Sequence, residues 1–309
     1  MIILALKAVF ARLYIMNITQ ENSLWPAPFS PKSGLYLVPT PIGHLRDMTL
    51  RSIDVLRAAD LVLCEDKRVS GKLFKAYGIK PPKLLPYHDH SDESLRDLVL
   101  EKVKAGQVVA LISDAGLPLI ADPGYKLVRE VISHNLPVTA LPGGSSVLTA
   151  LQLSGLPSDS FSFHGFLPAK AKARQDKLAQ IKPLSGSQIV FETAQRIEGA
   201  LADIDAVLGA RPVCLARELS KLYETVITST AADILDQMKA GMTVKGEIVL
   251  VIGGAGEQSE QQEDIEALLR LLLKEHSVKD SVTVMRDKTD LPKKQLYNLA
   301  LSLKEEKDQ

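Results

Sequence analysis

Between residues 35 and 254 short apolar runs alternate with segments of helical spacing. LYLV (35–38) predicts a buried strand. TLRSIDVLRAAD (49–60) spaces its apolar residues as a helix, and LVLCED (61–66) predicts a second buried strand ending in acidic residues. A helix follows at 69–77, then a Pro-rich connection at 81–86 and a helix at 92–105. QVVALISD (107–114) predicts a strand, 123–134 a helix, and PVTALPGG (137–144) a strand running into a glycine turn. Such alternation predicts α/β layers around a mainly parallel sheet.

A second series follows. FSFHGF (161–166), SQIVFE (187–192), VCLARE (213–218), LYETVITS (222–229) and GEIVLVIGG (246–254) predict strands, with helices near 194–208 and 230–240. The short connection 219–221 predicts antiparallel pairing of two of them, so this sheet is expected to be mixed. Beyond it an acidic, Gln-rich linker (257–266) leads to helices near 264–275, 279–287 and 292–304. The expected organisation is an N-terminal extension (1–33), an α/β domain (34–144), a second α/β domain (145–255), and a linker with a small helical appendage (256–309).

Composition narrows the class. The chain has 309 residues, a length that suits two medium domains, and 46% hydrophobic residues, enough for large cores. With 37 Lys and Arg against 37 Asp and Glu, a uniformly basic surface is excluded, while a local basic patch is not. Cys64 and Cys214 lie in apolar runs without metal-ligand spacing and read as buried thiols in a reducing compartment, so no metal is expected. In the first sixteen residues Lys7 and Arg12 interrupt the apolar stretch, which leaves it short of a membrane span and unlike a secretory signal. A transit-like segment and a start-site artefact, with translation beginning at Met16, are the two readings of this end; the second is preferred. No other run is long enough for a bilayer, and a cytoplasmic location is expected.

The chemistry is expected at the carboxyl ends of the strands, where open α/β sheets bind ligands. Neither G-x-x-x-x-G-K-[ST] nor G-x-G-x-x-G occurs, which removes the ordinary nucleotide loops. Three other turns stand there: PTPIGH (39–44), SDAGLPLIADPG (113–124) and LPGGSS (141–146). Pro39 and Pro41 stiffen the first around Thr40, and Gly43 permits a tight return. Asp114 at a strand tip, beside the small Ala115 and Gly116, suits ribose hydroxyls or an ammonium group; capping of the next helix is the equal alternative. Gly143, Ser145 and Ser146 open a helix whose free N–H groups suit a carboxylate or phosphate, or simply form a capped turn. In the second lobe the polar strand tips are Glu192, Arg217, Glu218 and 245–247, for which surface ion pairs are the commoner explanation. A cleft between lobes is a common ligand site.

Taken together, LYLVPTPIGHLRDMTLRSIDVLRAADLVLCEDKR, SDAGLPLIADPGY, GLPSDSF, GFLPAK and ARELSKLYET, in this order and spacing, resemble the ribosomal RNA small subunit methyltransferase I family. The resemblance runs from about residue 35 to 254 and continues weakly into LPKKQLYNLAL (291–301). It implies the tetrapyrrole-methylase fold, two α/β/α domains with S-adenosylmethionine between them, homodimers, and methylation of a cytidine ribose 2′-hydroxyl in the decoding region of 16S rRNA. It assigns to the cofactor Pro39, Thr40, Pro41, Gly43, Ser113, Asp114, Ala115, Gly116, Leu119, Gly143, Ser145 and Ser146, with Glu192, Ala216, Arg217 and Gly246 from the other lobe. The chain departs from the family where EDTR reads Glu65-Asp66-Lys67-Arg68, where TPLINDPG reads LPLIADPG, where YEST-H-R reads FETAQR, and where PGP reads PGGSS. These departures leave two alternatives open: a tetrapyrrole or other small-molecule substrate, and a catalytically silent RNA-binding paralogue.

Transfer to a ribose hydroxyl calls for a base. Glu65 and Asp66 are the expected carboxylates, with Arg68 orienting a phosphate or a carboxylate; a structural Arg–carboxylate pair is the equal alternative. His88 and His90 are expected at the substrate. Lys170, Lys172 and Arg174, with Lys177 and Lys182 against Asp176, form an expected phosphate-contact stretch on 16S rRNA or the small subunit, although a solvated helix face is the commoner fate of Lys-rich segments.

Overall fold

A computed structural model describes residues 27–80, 82–88, 93–255, 257–274, 276–286, 289 and 293–305. The proposed start at Met16 and His90 therefore lie outside the described residues. The chain divides into two compact units, 1–145 and 146–309.

The first unit is built on five strands: β1 (Gly34–Val38), β2 (Leu61–Cys64), β3 (Lys83–Pro86), β4 (Val108–Ile112) and β5 (Val138–Ala140). They pair in parallel in the order β3-β2-β4-β1-β5. The helices between them are α1 (Leu50–Ala58), α2 (Lys67–Ala76), α3 (Glu93–Lys104) and α4 (Tyr125–Ser133). The period of two sorts each apolar strand onto two faces. In β2, Val62 and Cys64 join Val55, Leu56 and Phe74 of α1 and α2, while Leu61 and Leu63 join Val99, Val103, Leu127 and Val131 of α3 and α4. The Pro-rich connection expected at 81–86 is in part a strand. β3 lies at the sheet edge, where Pro86, lacking an N–H, can end a strand without breaking an inner ladder.

The second unit has β6 (Phe161–Phe166), β7 (Ser187–Thr193), β8 (Pro212–Arg217), β9 (Thr225–Thr230) and β10 (Glu247–Ile252), ordered β6-β7-β10-β8-β9. Only β6 and β7 run parallel, so the sheet is mixed. α6 (Ala171–Ile181), α7 (Ile197–Leu208) and α8 (Ala231–Lys239) cover one core through Leu178, Ile197, Leu201 and Ile234. α5 (Ser146–Ser154) packs against β8, β9 and β10. Residues 257–266, expected as a linker, fall in α9 (Glu257–Leu272); with α10 (Val278–Arg286) and α11 (Lys293–Glu305) it forms a separate core around Leu269, Val282, Met285, Leu296 and Ala300.

Candidate functional site

In the first unit the parallel order places the ends of β2, β4, β1 and β5 side by side, so the three expected turns and the acidic tip share one sheet edge. Their contact is specific. The Thr40 N–H donates to the Gly116 carbonyl at 2.9 Å and the Gly116 N–H returns to the Thr40 carbonyl at 3.1 Å. The Thr40 hydroxyl donates to the Ser113 carbonyl, and the Ser113 hydroxyl to the Gly116 carbonyl, both at 3.1 Å. Thr40 and Ser113 are buried. Gly116 has φ +84°, and a Cβ there would lie 3.2 Å from Ile42 Cγ2 and 3.6 Å from the Gly144 carbonyl. A Cβ on Gly143 would lie 2.3 Å from Pro39 Cγ. Gly143 thus allows an approach to Pro39 that any side chain would block, while at Gly116 the positive φ is what favours glycine.

The loop 113–124 is strained as well as tight. Leu119 and Ala121 hold φ of 73° and 67°, where a side chain costs about 1–3 kcal/mol. Asp114 does not cap the following helix, whose N-cap is Gly124. Instead its Oδ1 accepts the Asp66 N–H at 3.2 Å, tying the ends of β2 and β4 together. Burial pushes the Asp114 carboxyl up from its ordinary range. Burial, then the Asp114 charge, does the same for Glu65.

Asp66 has a different task. It is the N-cap of α2, accepting the Arg68 N–H at 2.7 Å, and its other oxygen takes the Arg68 Nη2 at 2.7 Å. The Arg68 side chain, above all, and the cap hold Asp66 down at about 2. Arg68 itself is 88% exposed. So Asp66 is a firmly ionised cap, and of the two expected carboxylates Glu65 is the stronger base. His88 follows β3 and is exposed, and its charge acts on Glu65.

Asp122, within the quoted loop but not singled out from the sequence, is the most perturbed carboxyl of this edge. Burial, then Glu65, pushes it up to about 6, against a hydrogen bond from Ser113. Its only sequence signal is the Asp-Pro-Gly turn.

In the second unit, Glu192 on β7 is buried and accepts the Thr193 N–H at 2.8 Å and the Arg196 Nη2 at 3.0 Å. Ala216 is buried in β8. Arg217 donates from Nε to Thr225 Oγ1 (3.1 Å) and from Nη1 to the Lys245 carbonyl (3.3 Å). Gly246 has φ +86°, and a Cβ there would lie 2.2 Å from Glu218 Oε1. That carboxylate accepts the Glu247 N–H and Lys221 Nζ, each at 3.0 Å; the first bond, above all, holds it below its ordinary range. An open depression of about 350 Å³ is lined by Arg217, Glu218, Tyr223, Thr243, Lys245 and Gly246.

The expected phosphate stretch needs one correction. Lys170 and Lys172 are exposed at the start of α6, Lys172 pairing with Asp176 at 2.8 Å. Arg174 points inward. It is 7% exposed, donates to Asp203 Oδ2 at 2.6 Å, and binds the carbonyls of Ala169 and Gly199. A guanidinium so committed fixes α6 to α7 and cannot reach a phosphate.

The parallel unit with its loop cradle, followed by a mixed unit, defines a class, and comparison with known families names it. Residues 34–235 match the family described as tetrapyrrole (corrin/porphyrin) methylases. A cobalt precorrin-4 methyltransferase of cobalamin biosynthesis has the same fold, with a TM-score of 0.53 at 18% identity over 71% of this chain and 94% of that one. Residues 259–304 match the RsmI C-terminal HTH domain, which accounts for the core of α9, α10 and α11. The ribosomal RNA small subunit methyltransferase I of Rickettsia prowazekii (strain Madrid E) is 42% identical over 87% of this chain and 96% of its own length. That of Vibrio cholerae serotype O1 is 43% identical over 86% and 94%. The chain belongs to the ribosomal RNA small subunit methyltransferase I family. Among the described residues no helix is long and apolar enough to cross a membrane.

Proposed function

We propose that this protein is an S-adenosylmethionine-dependent methyltransferase that modifies a cytidine ribose 2′-hydroxyl in the decoding region of 16S rRNA. The observation that carries the reading is the likeness, at about 42% identity over 96% of the relative's length, to a protein named for small-subunit rRNA methylation. The first unit supports such a cofactor: Gly116 and Gly143 let the turns after β1, β4 and β5 pack closely together, which gathers their polar backbone groups at one sheet edge. Asp114, half-buried, has a second oxygen for a ligand hydroxyl or ammonium group.

When bound, S-adenosylmethionine supplies an electrophilic methyl group on a sulfonium. Residues of the turns at 39–43, 113–119 and 143–146 hold it, with Glu192, Ala216, Arg217 and Gly246 assigned to it by family resemblance. Glu65 accepts the ribose proton, since its raised basicity brings it closer to the working pH than an ordinary carboxylate. Arg68 orients an RNA phosphate, while Asp66 keeps it in place. His88, Lys170 and Lys172 contact the RNA. The cytoplasmic protein acts as a homodimer, which sedimentation of the full chain tests.

The decisive experiment incubates the full chain and labelled S-adenosylmethionine with small subunits from cells lacking this protein, followed by mass mapping of ribose methylation. A single labelled cytidine ribose is expected. Cofactor binding without label in the rRNA would turn the reading towards a small-molecule substrate or a silent RNA-binding protein. An absence of cofactor binding by calorimetry would sink it altogether. Asp114→Ala is expected to weaken cofactor affinity about tenfold, the loss of one charged hydrogen bond; unchanged affinity would remove Asp114 from the site.

A further inference from the structure

We infer that the depression at the β8–β9 tip is a subsite for single-stranded RNA, where a base stacks on Tyr223 and its phosphate meets Lys245. This rests on the rRNA reading proposed above and deepens it. Of the lining residues, Arg217 and Gly246 go to the cofactor by family resemblance, whereas Tyr223 and Lys245 have no such assignment. Tyr223 is 68% exposed and its neighbour Leu222 88%. Large apolar side chains left together in water and rimmed by polar groups mark a contact surface. The tip that carries them is braced. Glu218 and Ser220 hold φ of 50° and 64°, left-handed values that a side chain keeps only where its surroundings impose them. The Ser220 N–H donates to Glu224 Oε2 at 2.7 Å, the Lys221 N–H to the Glu218 carbonyl at 3.0 Å, and the Glu224 N–H to the Lys221 carbonyl at 3.2 Å. Lys221 Nζ joins the carboxylates of Glu218 at 3.0 Å and Glu247 at 3.1 Å. The polar groups of the tip thus satisfy one another, and the ring of Tyr223 is presented by a fixed frame. An aromatic side chain so preset loses little freedom on binding.

The chemistry of the lining selects a nucleotide. A tyrosine ring offers its face to any base, and such stacking is what holds single strands. A duplex keeps its bases stacked on one another and offers none to a side chain. Lys245 is exposed and has no ion-pair partner among the described residues. Arg217 adds a second positive charge, its guanidinium fixed through Nε and Nη1. The nearby carboxylates are already engaged: Glu218 and Glu247 share Lys221, and Glu224 turns back on the Ser220 N–H. A ring beside uncompensated cations suits a base joined to a phosphate better than an apolar protein face. The volume of about 350 Å³ lies at the small end of ligand pockets, which span roughly 300–1,000 Å³. An open depression of that size suits one nucleotide of a longer strand.

The test measures equilibrium binding of small subunits, and of polycytidylate as a generic single strand, to the full chain. Tyr223→Ala is expected to weaken both about tenfold, the loss of one stacked base. Tyr223→Phe keeps the ring and should bind within about twofold of the parent chain. Tyr223→Leu keeps apolar bulk without an aromatic face and should lose as much as the alanine variant. Lys245→Gln should lower the slope of log affinity against log salt by about one, the share of a single phosphate contact. Affinity for S-adenosylmethionine, read by calorimetry, should not move in the Tyr223 variants. Replacing so exposed a side chain opens no cavity in the core, so these variants fold. Parent-like binding by Tyr223→Leu, a loss confined to S-adenosylmethionine, or a change in sedimenting mass each overturns the inference, in favour of a protein surface, the cofactor or a second copy respectively. A parent chain that binds neither RNA overturns it too. Tyrosine-dependent RNA binding without methyl transfer sinks instead the rRNA methylation reading and leaves the subsite standing.

Discussion

Asp203→Ala is expected to cost about 3–5 kcal/mol of stability, the toll of leaving a buried charge without its partner. Arg174 and Asp203 meet at 2.6 Å between α6 and α7, with side chains only 8% and 12% exposed. Gln175 donates to the other Asp203 oxygen at 2.8 Å. Truncation of Asp203 strands a guanidinium in the interior with two carbonyls as its remaining partners. Chemical denaturation of the full chain reads the loss. The double variant Arg174→Met with Asp203→Ala should recover much of it, because no buried charge remains. Equal destabilisation of single and double variants would show that packing, not charge, sets the cost. The loss is also a check on the corrected place of Arg174: an exposed phosphate ligand would leave Asp203→Ala nearly silent.

The reason this arginine was not legible as a strut lies in competing signals. Residues 170–182 carry enough Lys and Arg to read as a basic face. Yet Arg174, Leu178 and Ile181 are spaced i, i+4, i+7 and together form the buried stripe of α6. Charge type was visible in the sequence, whereas its partner on α7, 29 residues away, was not. The same division holds elsewhere. Runs such as LVLC and VVALI declared buried parallel strands, because residues of both parities are apolar and both faces are covered. Edge strand β3, short and half-exposed with a terminal proline, carried no such pattern. The acidic, Gln-rich 257–266 stretch read as a linker, although Glu and Gln are good helix formers and the segment belongs to α9.

At the candidate site the turns themselves were legible, since glycines and prolines at strand ends demand particular backbone shapes. Their partnerships were not. The Thr40–Gly116 bridge joins residues 76 positions apart only because β1 and β4 are neighbours. Asp66 and Glu65 are adjacent in sequence and chemically alike, but one caps α2 and the other lies half-buried beside Asp114. Asp122 depends still more on tertiary context: burial, then the Glu65 carboxyl at the end of another strand, push it up.

Gly143→Ala is expected to weaken S-adenosylmethionine binding about 10- to 100-fold, equivalent to the roughly 1–3 kcal/mol of an overpacked contact. Its Cβ would stand 2.3 Å from Pro39 Cγ and 2.5 Å from Pro39 Cβ. The proline ring cannot swing aside. The loops cannot part freely either, because β1 and β5 pair up to Leu37 and Ala140, and the Leu141 N–H still binds the Leu37 carbonyl at 3.0 Å. Strain must therefore be absorbed in the two turns that form the cradle, which is where a ligand would feel it. Gly71→Ala on α2 is the matched control, since nothing lies within 4 Å of its added Cβ and a helical Gly→Ala change should stabilise slightly. Calorimetry of both variants beside their melting temperatures separates loop geometry from general stability. If Gly143→Ala binds as tightly as the parent chain while Gly71→Ala behaves as expected, the turn after β5 is no part of the cofactor site.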